Sequence, residues 1–312
     1  MTSLVQLLMF ALLLTARTDT DEPWFAYKTL TGGVAVQAGQ TVKYTLPMAD
    51  IVGWVSCSQS LLVVDYTSSG ARVLVDPYSG ATTGVTQTVS WPKSTAPTDT
   101  ADRPDPTGSR FVTYHRDGSI WLADYTMGTA TQLFSADRLK NQFGIPVPGG
   151  EGQLPVRSVW NPSGTKVAIS LPSGEIATSQ AMEEHYDVWL IDVASRNAAK
   201  LGRGYPYVWL SDDKVLCLYW HIVGNEARKE ARVYSTSGKL LASRHDFHDL
   251  GWDGKRILGV VSRRNPKTDR IDCFVQAWSP DLKRKLGEYP CPDYRYTNRE
   301  GTLEGIPRPE RK

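Results

Sequence analysis

Short runs of alternating apolar and polar residues recur along most of the chain, separated by turn-forming segments. An alternation with a period of two places successive side chains on opposite faces of an extended strand. These runs are rich in β-branched and aromatic residues, as is typical of β-strands. They lie at residues 61–64, 111–114, 167–170, 215–218 and 257–260. The pattern predicts an all-β protein.

A larger unit repeats around these runs. A short strand ending in Trp comes first, then a polar turn, a second strand, a loop of variable length, a third strand, another polar turn and a short fourth strand. The first strands end at Trp54, Trp160, Trp209 and Trp252, and the last three are 49 and 43 residues apart. A spacing of about 40–45 residues is typical of a four-stranded propeller blade. The repeat therefore predicts a β-propeller of four-stranded blades.

Strand-like segments also flank the repeats. Three precede the first unit, at residues 24–27, 34–37 and 41–44, and one follows the fifth unit, at residues 294–296. Pairing the last segment with the first three would complete a sixth blade and leave no open sheet edge. We therefore expect six blades with closure between N- and C-terminal strands, within residues 22–298, and a flexible charged tail at 299–312. The alternative is five blades with the N-terminal strands packed outside.

Two of the repeats resemble a known propeller family. Trp160-Asn-Pro-Ser-Gly164 with Asp187-Val-Trp-Leu190, and Asp105-Pro-Thr-Gly108 with Ser119-Ile-Trp-Leu122, are similar to the TolB-like and WD-repeat-like propeller repeat. The propellers of prolyl oligopeptidase-type proteins contain similar repeats. The resemblance covers roughly residues 50–286 and implies the propeller fold. It also implies an exported propeller that stands alone, without the hydrolase domain.

The N-terminal segment has the features of a secretory signal. Residues 4–14 are apolar apart from Gln6 and carry no charge. A membrane-spanning helix needs about 20 such residues, so the run is too short to cross a bilayer. We expect a signal peptide at residues 1–16 and an exported mature chain without a transmembrane segment, periplasmic or extracellular. An uncleaved N-terminal anchor is the alternative.

Two of the four cysteines lie symmetrically about a predicted hairpin turn. Cys273 and Cys291 are equally far from Leu282, in the turn that begins at Ser279. They would then face each other across two antiparallel strands, at a separation that permits a disulfide. A register slip of two residues would separate them. A disulfide suits an exported chain.

Charge and motifs exclude several functions. The net charge is +2, and although residues 251–312 hold 14 Lys and Arg against 9 Asp and Glu, this is too weak for a nucleic-acid surface. The chain has no G-x-S-x-G, C-x-x-C, H-E-x-x-H, P-loop or G-x-G-x-x-G motif. The richest local group, from His245 to Asp249, is interpreted as a solvated loop rather than a metal site. We expect no catalytic residue, cofactor or bound metal.

Binding is expected on one face of the propeller. Loops at residues 92–103, 134–156, 171–184 and 221–229 are long, and the meander of each blade places them at the same end. The recurrent tryptophans are interpreted as packing residues between blades, whereas Trp91 and Trp220 fall outside the repeat. The candidate binding residues are Trp220, His221, Trp91, His115, Arg116, Glu183, Glu184 and His185.

Three functions remain open at this point. The first is an exported, monomeric, non-catalytic propeller that binds a protein, a peptide or a cell-envelope component through its long loops. The second is a hydrolase or lyase that acts on glycans with scattered carboxylates at the channel mouth. The carboxylates in suitable loops are Asp117, Glu175, Glu183, Glu184 and Glu226. The third is a purely structural ring.

Overall fold

The computed structural model describes residues 22–56, 60–66, 71–85, 104–115, 117–124, 127–145, 157–173, 186–223, 226–294 and 303–306. The described residues contain 23 strands and one α-helix, and the strands form six antiparallel sheets. The predicted signal peptide at residues 1–16 lies outside this part of the chain.

Five of the sheets have four strands each. The closing sheet has the order β23-β1-β2-β3, formed by β1 (Trp24–Lys28), β2 (Val34–Ala38), β3 (Thr41–Leu46) and β23 (Leu303–Ile306). Sheet one contains β4 (Ala49–Ser56), β5 (Ser60–Tyr66), β6 (Ala71–Val75) and β7 (Thr82–Val85). Sheet three contains β11 (Ser158–Trp160), β12 (Lys166–Pro172), β13 (Tyr186–Asp192) and β14 (Asn197–Arg203). Sheet four contains β15 (Tyr205–Ser211), β16 (Lys214–Val223), β17 (Glu226–Ser235) and β18 (Leu240–His245). Sheet five contains β19 (Asp249–Trp252), β20 (Ile257–Arg264), β21 (Ile271–Trp278) and β22 (Lys285–Pro290).

Sheet two has three strands within the described residues. They are β8 (Arg110–Tyr114), β9 (Ile120–Asp124) and β10 (Thr129–Phe134). Helix α1 (Ala136–Phe143) follows directly, capped by Ser135, whose side chain accepts a hydrogen bond from the Arg138 amide, and by Gly144. Sheet two therefore lies where the repeats predict a blade. The apolar content and length needed to span a membrane are not found in any helix of the described residues.

Burial within the sheets follows a radial order. Strands β11 and β23 are buried along their whole length, whereas the outermost strands β18 and β22 have no buried residue. The innermost strands of neighbouring sheets also contact one another in series, from β11 to β15, β19, β23 and β4. Four-stranded meanders whose first strands surround a common axis define a β-propeller. The predicted fold class is therefore confirmed.

The cores lie between neighbouring sheets. Val112 of sheet two and Ile169 of sheet three share one core, and Val215 of sheet four packs with Val188 of sheet three in another. Because each sheet packs on two neighbours, its inner strands are apolar on both faces. Trp160 and Trp209 are buried in these interfaces, and the Trp209 indole N–H donates to the Val159 carbonyl at 2.9 Å. The interpretation of these tryptophans as packing residues is confirmed.

The first and last described strands share one sheet, as predicted, but the closing strand is a different segment. The closing strand is β23, which pairs with β1 so that Trp24 faces Ile306 and Tyr27 faces Leu303. The closing strand is therefore not the predicted segment 294–296, of which only Tyr294 lies among the described residues. Tyr294 makes only an isolated bridge to Thr29 and donates its hydroxyl to Asp249 at 3.0 Å. Because β23 is buried, the predicted flexible tail at 299–312 does not hold for residues 303–306.

The closing strand fits its position because Gly305 has no side chain. A Cβ atom at Gly305 would lie 2.3 Å from the carbonyl carbon of Trp252 in sheet five. Backbone cannot move aside as a flexible side chain can, so only glycine permits the two innermost strands to approach this closely. The contact joins the last described strand to the neighbouring sheet.

We predict that Gly305→Ala lowers the free energy of unfolding by about 2–3 kcal/mol, because the added methyl group overpacks the contact with Trp252. Gly32→Ala is the matched control, since Gly32 has a φ of 81° but open space around it and should lose only about 1 kcal/mol. Denaturant unfolding of both variants measures the difference. Equal losses would contradict the proposed close contact.

Candidate functional site

The long-loop end of the propeller holds the candidate residues that can be placed. In an antiparallel meander, the end of the second strand and the start of the third strand lie at the same end of the sheet. The start of the first strand lies at that end too. Of the predicted loops, residues 92–103, 146–156 and 174–184 lie outside the described residues. The same holds for Trp91, Arg116, Glu183, Glu184 and His185.

The predicted loop at residues 221–229 is largely a hairpin in the structure. Strands β16 and β17 pair along ten residues each, with Trp220 opposite Lys229 and His221 opposite Arg228. The expectation of a long loop is wrong here because the pairing continues past the core. The start of β17 is rich in charged residues and alanine, which have low strand propensity, so the sequence alone does not indicate it.

Trp220 and Lys229 are in direct contact at the end of this hairpin. The Lys229 Nζ lies 3.6 Å from the centroid of the Trp220 ring, a close cation–π contact. Lys229 is only 9% exposed and also donates to the His248 carbonyl at 3.3 Å. Trp220 is partly buried against the core shared by sheets four and five. The ring and the ammonium group are therefore held in fixed positions.

His248 extends this group from sheet four to sheet five. Its Nε2 lies 2.6 Å from the Ser262 Oγ, and its amide donates to the Val260 carbonyl at 2.8 Å. Burial lowers the pKa of His248, and so does the nearby Lys229 ammonium, while Asp249 and Asp246 act in the opposite direction. A pKa below 6.5 favours the neutral imidazole at pH 7. The imidazole and the Ser262 hydroxyl share one hydrogen bond.

These four residues, Trp220, Lys229, His248 and Ser262, are called the Trp220 cluster. They come from the end of β16, the start of β17, the approach to β19 and the end of β20, which all lie at one end of neighbouring sheets. The cluster combines an aromatic ring, a cation, a neutral imidazole and a hydroxyl. This combination can bind a ligand that has an apolar group and a hydrogen-bonding or anionic group.

His115 is placed differently from an exposed contact residue. It is fully buried, its ring stacks on Trp121 with centroids 5.4 Å apart, and its Nε2 lies 3.1 Å from the Thr113 Oγ. Burial lowers the pKa of His115, partly offset by Asp117. In this structure His115 therefore supports the turn between β8 and β9. For His221 the structure describes only the backbone pairing with Arg228.

The side chains of His245 and Asp249, in the group from His245 to Asp249, have different partners. The His245 Nε2 is 4.0 Å from Glu230, whereas Asp249 accepts hydrogen bonds from the Tyr294 hydroxyl and the Leu303 amide. Within the part of the chain that the structure describes, no group of three or more His, Cys, Asp or Glu side chains could hold a metal ion. Residues 245–249 are therefore close in sequence, but their side chains contact different parts of the protein.

Sequence reasoning identified Trp220 but not its partners. Lys229 lies in a segment without strand character, and Ser262 is 14 residues from His248. The alternation of Leu216, Leu218 and Trp220 is the one available signal, since it places Trp220 on the face directed toward sheet five. The side chains that meet Trp220 depend on hairpin register and sheet packing.

Cys273 and Cys291 face each other as predicted. The register of β21 and β22 pairs Phe274 with Pro290, and the Cys291 amide donates to the Cys273 carbonyl at 2.9 Å. Both side chains contact the core between sheet five and the closing sheet. The two residues are free thiols in this structure, so the opposed register is present without the predicted disulfide.

Comparisons with known proteins give structural likenesses only. No protein-family model matches the sequence, and the comparison with curated proteins found no match. Among solved structures, the chain is similar to the tricorn protease, with 9% identity and a TM-score of 0.42, over 85% of this chain and 29% of that chain. It is also similar to the β-propeller domain of the Trilobed protease from Pyrococcus furiosus, with 14% identity and a TM-score of 0.37, over 84% and 71% of the two chains.

A third similar structure is an oligogalacturonate lyase in complex with manganese, with 13% identity and a TM-score of 0.44, over 86% of this chain and 74% of that chain. The chain spans less than a third of the length of the tricorn protease chain. The β-propeller class follows from the sheet topology described above, independently of these likenesses.

We predict opposite effects for two tryptophans of sheet four. Trp209→Ala should lower the free energy of unfolding by about 3–5 kcal/mol, because Trp209 is buried and its indole bonds across to sheet three. Trp220→Ala should cost about 1 kcal/mol, because its ring is only partly buried. Denaturant titration of both variants checks this, and equal costs would assign Trp220 to the core.

Acidification should destabilise the protein through His248. Its pKa is lowered from 6.5 in the folded state, so the unfolded chain binds more protons and stability is lost as the pH falls below about 6.5. His248→Gln should flatten the pH dependence of the free energy of unfolding between pH 7.5 and 5. His115 keeps its own contribution in both proteins. An unchanged slope in the variant would contradict the assignment.

Proposed function

We propose that the protein is an exported, non-catalytic β-propeller that binds a protein, a peptide or a cell-envelope component at its long-loop end. The observation that carries this proposal is the Trp220–Lys229 pair, held by sheet four and joined to sheet five through His248. Export rests on the apolar segment at residues 4–14, and the monomeric state is part of the proposal.

A fixed tryptophan beside a cation supports binding. Tryptophan side chains are over-represented among residues that dominate binding energy, particularly when a rigid scaffold holds them. Trp220 lies on a hairpin whose strands are ten residues long, so little conformational freedom is lost when a ligand contacts the ring. Its partners supply a positive charge at Lys229 and hydrogen-bonding groups at His248 and Ser262.

The contacts of Trp220 favour a peptide over a glycan. A sugar ring stacks on an open aromatic face. The Lys229 ammonium already lies over the Trp220 ring, and the Trp220 side chain also packs on the core. A peptide can instead contact the ring edge, while the Lys229 ammonium attracts its carbonyl or carboxylate oxygens electrostatically. Among the possible ligands, we therefore favour a protein or peptide.

Three carboxylates at this end also support binding rather than glycan cleavage. Asp117 accepts from the Ser119 amide at 2.9 Å, Asp187 pairs with Lys200 at 2.6 Å, and Asp249 accepts from Tyr294. These acids stabilise turns, strands and closure. A glycosidase needs two carboxyl groups facing the same bond, and these three carboxyl groups have separate partners.

Selection from a random peptide library on the immobilised full-length protein tests this function. Peptides that bind the wild-type protein should bind Trp220→Ala at least about 30-fold more weakly, because loss of a dominant aromatic contact costs about 2 kcal/mol or more. Leu240→Ala is the matched control, since Leu240 is exposed on the outer strand β18, and should bind with unchanged affinity. Peptides that bind Trp220→Ala as tightly as the wild type would contradict the proposed site, as would turnover of glycan substrates by the purified protein.

A further inference from the structure

The two opposed thiols lie beside the segment that holds the closing sheet. Residues 290–294, called the seam segment, follow β22 and include Cys291. The Gln37 side-chain amide donates to the Pro290 carbonyl at 2.8 Å, the Tyr27 hydroxyl donates to the Pro292 carbonyl at 3.0 Å, and the Leu30 amide donates to the Asp293 carbonyl at 2.8 Å. The seam segment is therefore bonded to strands or turns of the N-terminal region on both sides of Cys291.

The thiols are close enough to be joined. The Cys291 amide donates to the Cys273 carbonyl, and both residues contact the same core, so their side chains share one face of sheet five. Opposed residues in such a hydrogen-bonded pair have Cα atoms about 5.5 Å apart, inside the range of about 4.4–6.8 Å found for disulfides. Cys291 is 4% exposed and Cys273 is half-buried, so an oxidant reaches Cys273 first.

We propose that Cys273 and Cys291 are a thiol-modification site. A small disulfide, such as oxidised glutathione, oxidises the two thiols to an intramolecular disulfide, and this bond fixes the seam segment to β21. This role does not depend on what the Trp220 cluster binds. The bond would close the hairpin from Cys273 to Cys291 and hold Pro290 and Pro292 where they accept hydrogen bonds from the closing sheet. Oxidation would therefore strengthen the pairing of β1 and β23.

The chemistry is a balanced thiol–disulfide exchange. The Cys273 thiolate attacks one sulfur of the small disulfide, giving a mixed disulfide and releasing one small thiolate. The Cys291 thiolate then attacks the Cys273 sulfur and releases the second small thiolate. Two protein thiols lose two protons and two electrons, and the small disulfide gains both. Burial raises the pKa of both cysteines, so the exchange should be faster at pH 8.5 than at pH 7.

The test compares the full-length protein after treatment with oxidised glutathione and after treatment with dithiothreitol. We expect a loss of 2 Da, a Cys273–Cys291 peptide in non-reducing mapping, and a Tm about 5 °C higher in the oxidised form. Hydrogen exchange of the β1 and β23 amides should slow at least about tenfold, whereas exchange in β11 and β12 should not change.

Two variants make the result specific. Cys273→Ala should abolish the Tm increase and the slower exchange, and because Cys273 is half-buried this variant should still fold. Cys217→Ala is the matched control, since Cys217 is a buried free thiol between sheets three and four and should leave the oxidation response intact. A glutathione adduct without the intramolecular bond, a disulfide through another cysteine, or unchanged exchange in β1 and β23 would each overturn the proposal.

Discussion

The pairing of β23 with β1 is the constraint on which the ring depends. An open propeller would leave the edge of the closing sheet unpaired and would expose the apolar faces of the closing sheet and sheet five. The buried carboxylate of Asp249 stabilises the junction, because it accepts from the Tyr294 hydroxyl at 3.0 Å and from the Leu303 amide at 3.1 Å. These bonds anchor both sides of the undescribed residues 295–302 to the first strand of sheet five. A buried carboxylate with such partners is costly to leave unsatisfied, so closure is strongly favoured.

Most of the fold could be predicted from local sequence signals. Alternating apolar residues and turns such as Asn161–Gly164, where the Gly164 amide donates to the Asn161 carbonyl at 2.9 Å, identify the strands of sheets three to five directly. The closing strand could not be found in this way. Leu303–Ile306 contains Glu304 and Gly305, both poor strand formers, and it is extended because β1 offers an unpaired edge. Tyr294 and Tyr296 have better strand propensity, which is why the sequence favoured the wrong segment.

The candidate site shows the same division between local and tertiary signals. Trp220 stands out in the sequence because it falls outside the recurrent tryptophan position, and in the structure it packs against the core with Leu216 and Leu218. The positions of Lys229 and His248 depend on hairpin register and on the packing of sheet five against sheet four, which no local pattern specifies. His115 illustrates the converse, since a histidine next to a polar turn suggests an exposed contact and is in fact stacked on Trp121 inside sheet two.

Sheet five links the candidate site to the ring closure. His248 belongs to the Trp220 cluster, and the next residue, Asp249, binds the closing segment. Ser262 lies opposite Cys273, and Cys273 lies opposite Cys291, so one row across the sheet runs from the cluster to the seam segment. Because opposed residues in a sheet are held by the same ladder of hydrogen bonds, the ladder resists a shift of either end of this row relative to the other. Closure therefore does more than stabilise the ring, since it also sets the position of the imidazole that joins sheets four and five at the long-loop end.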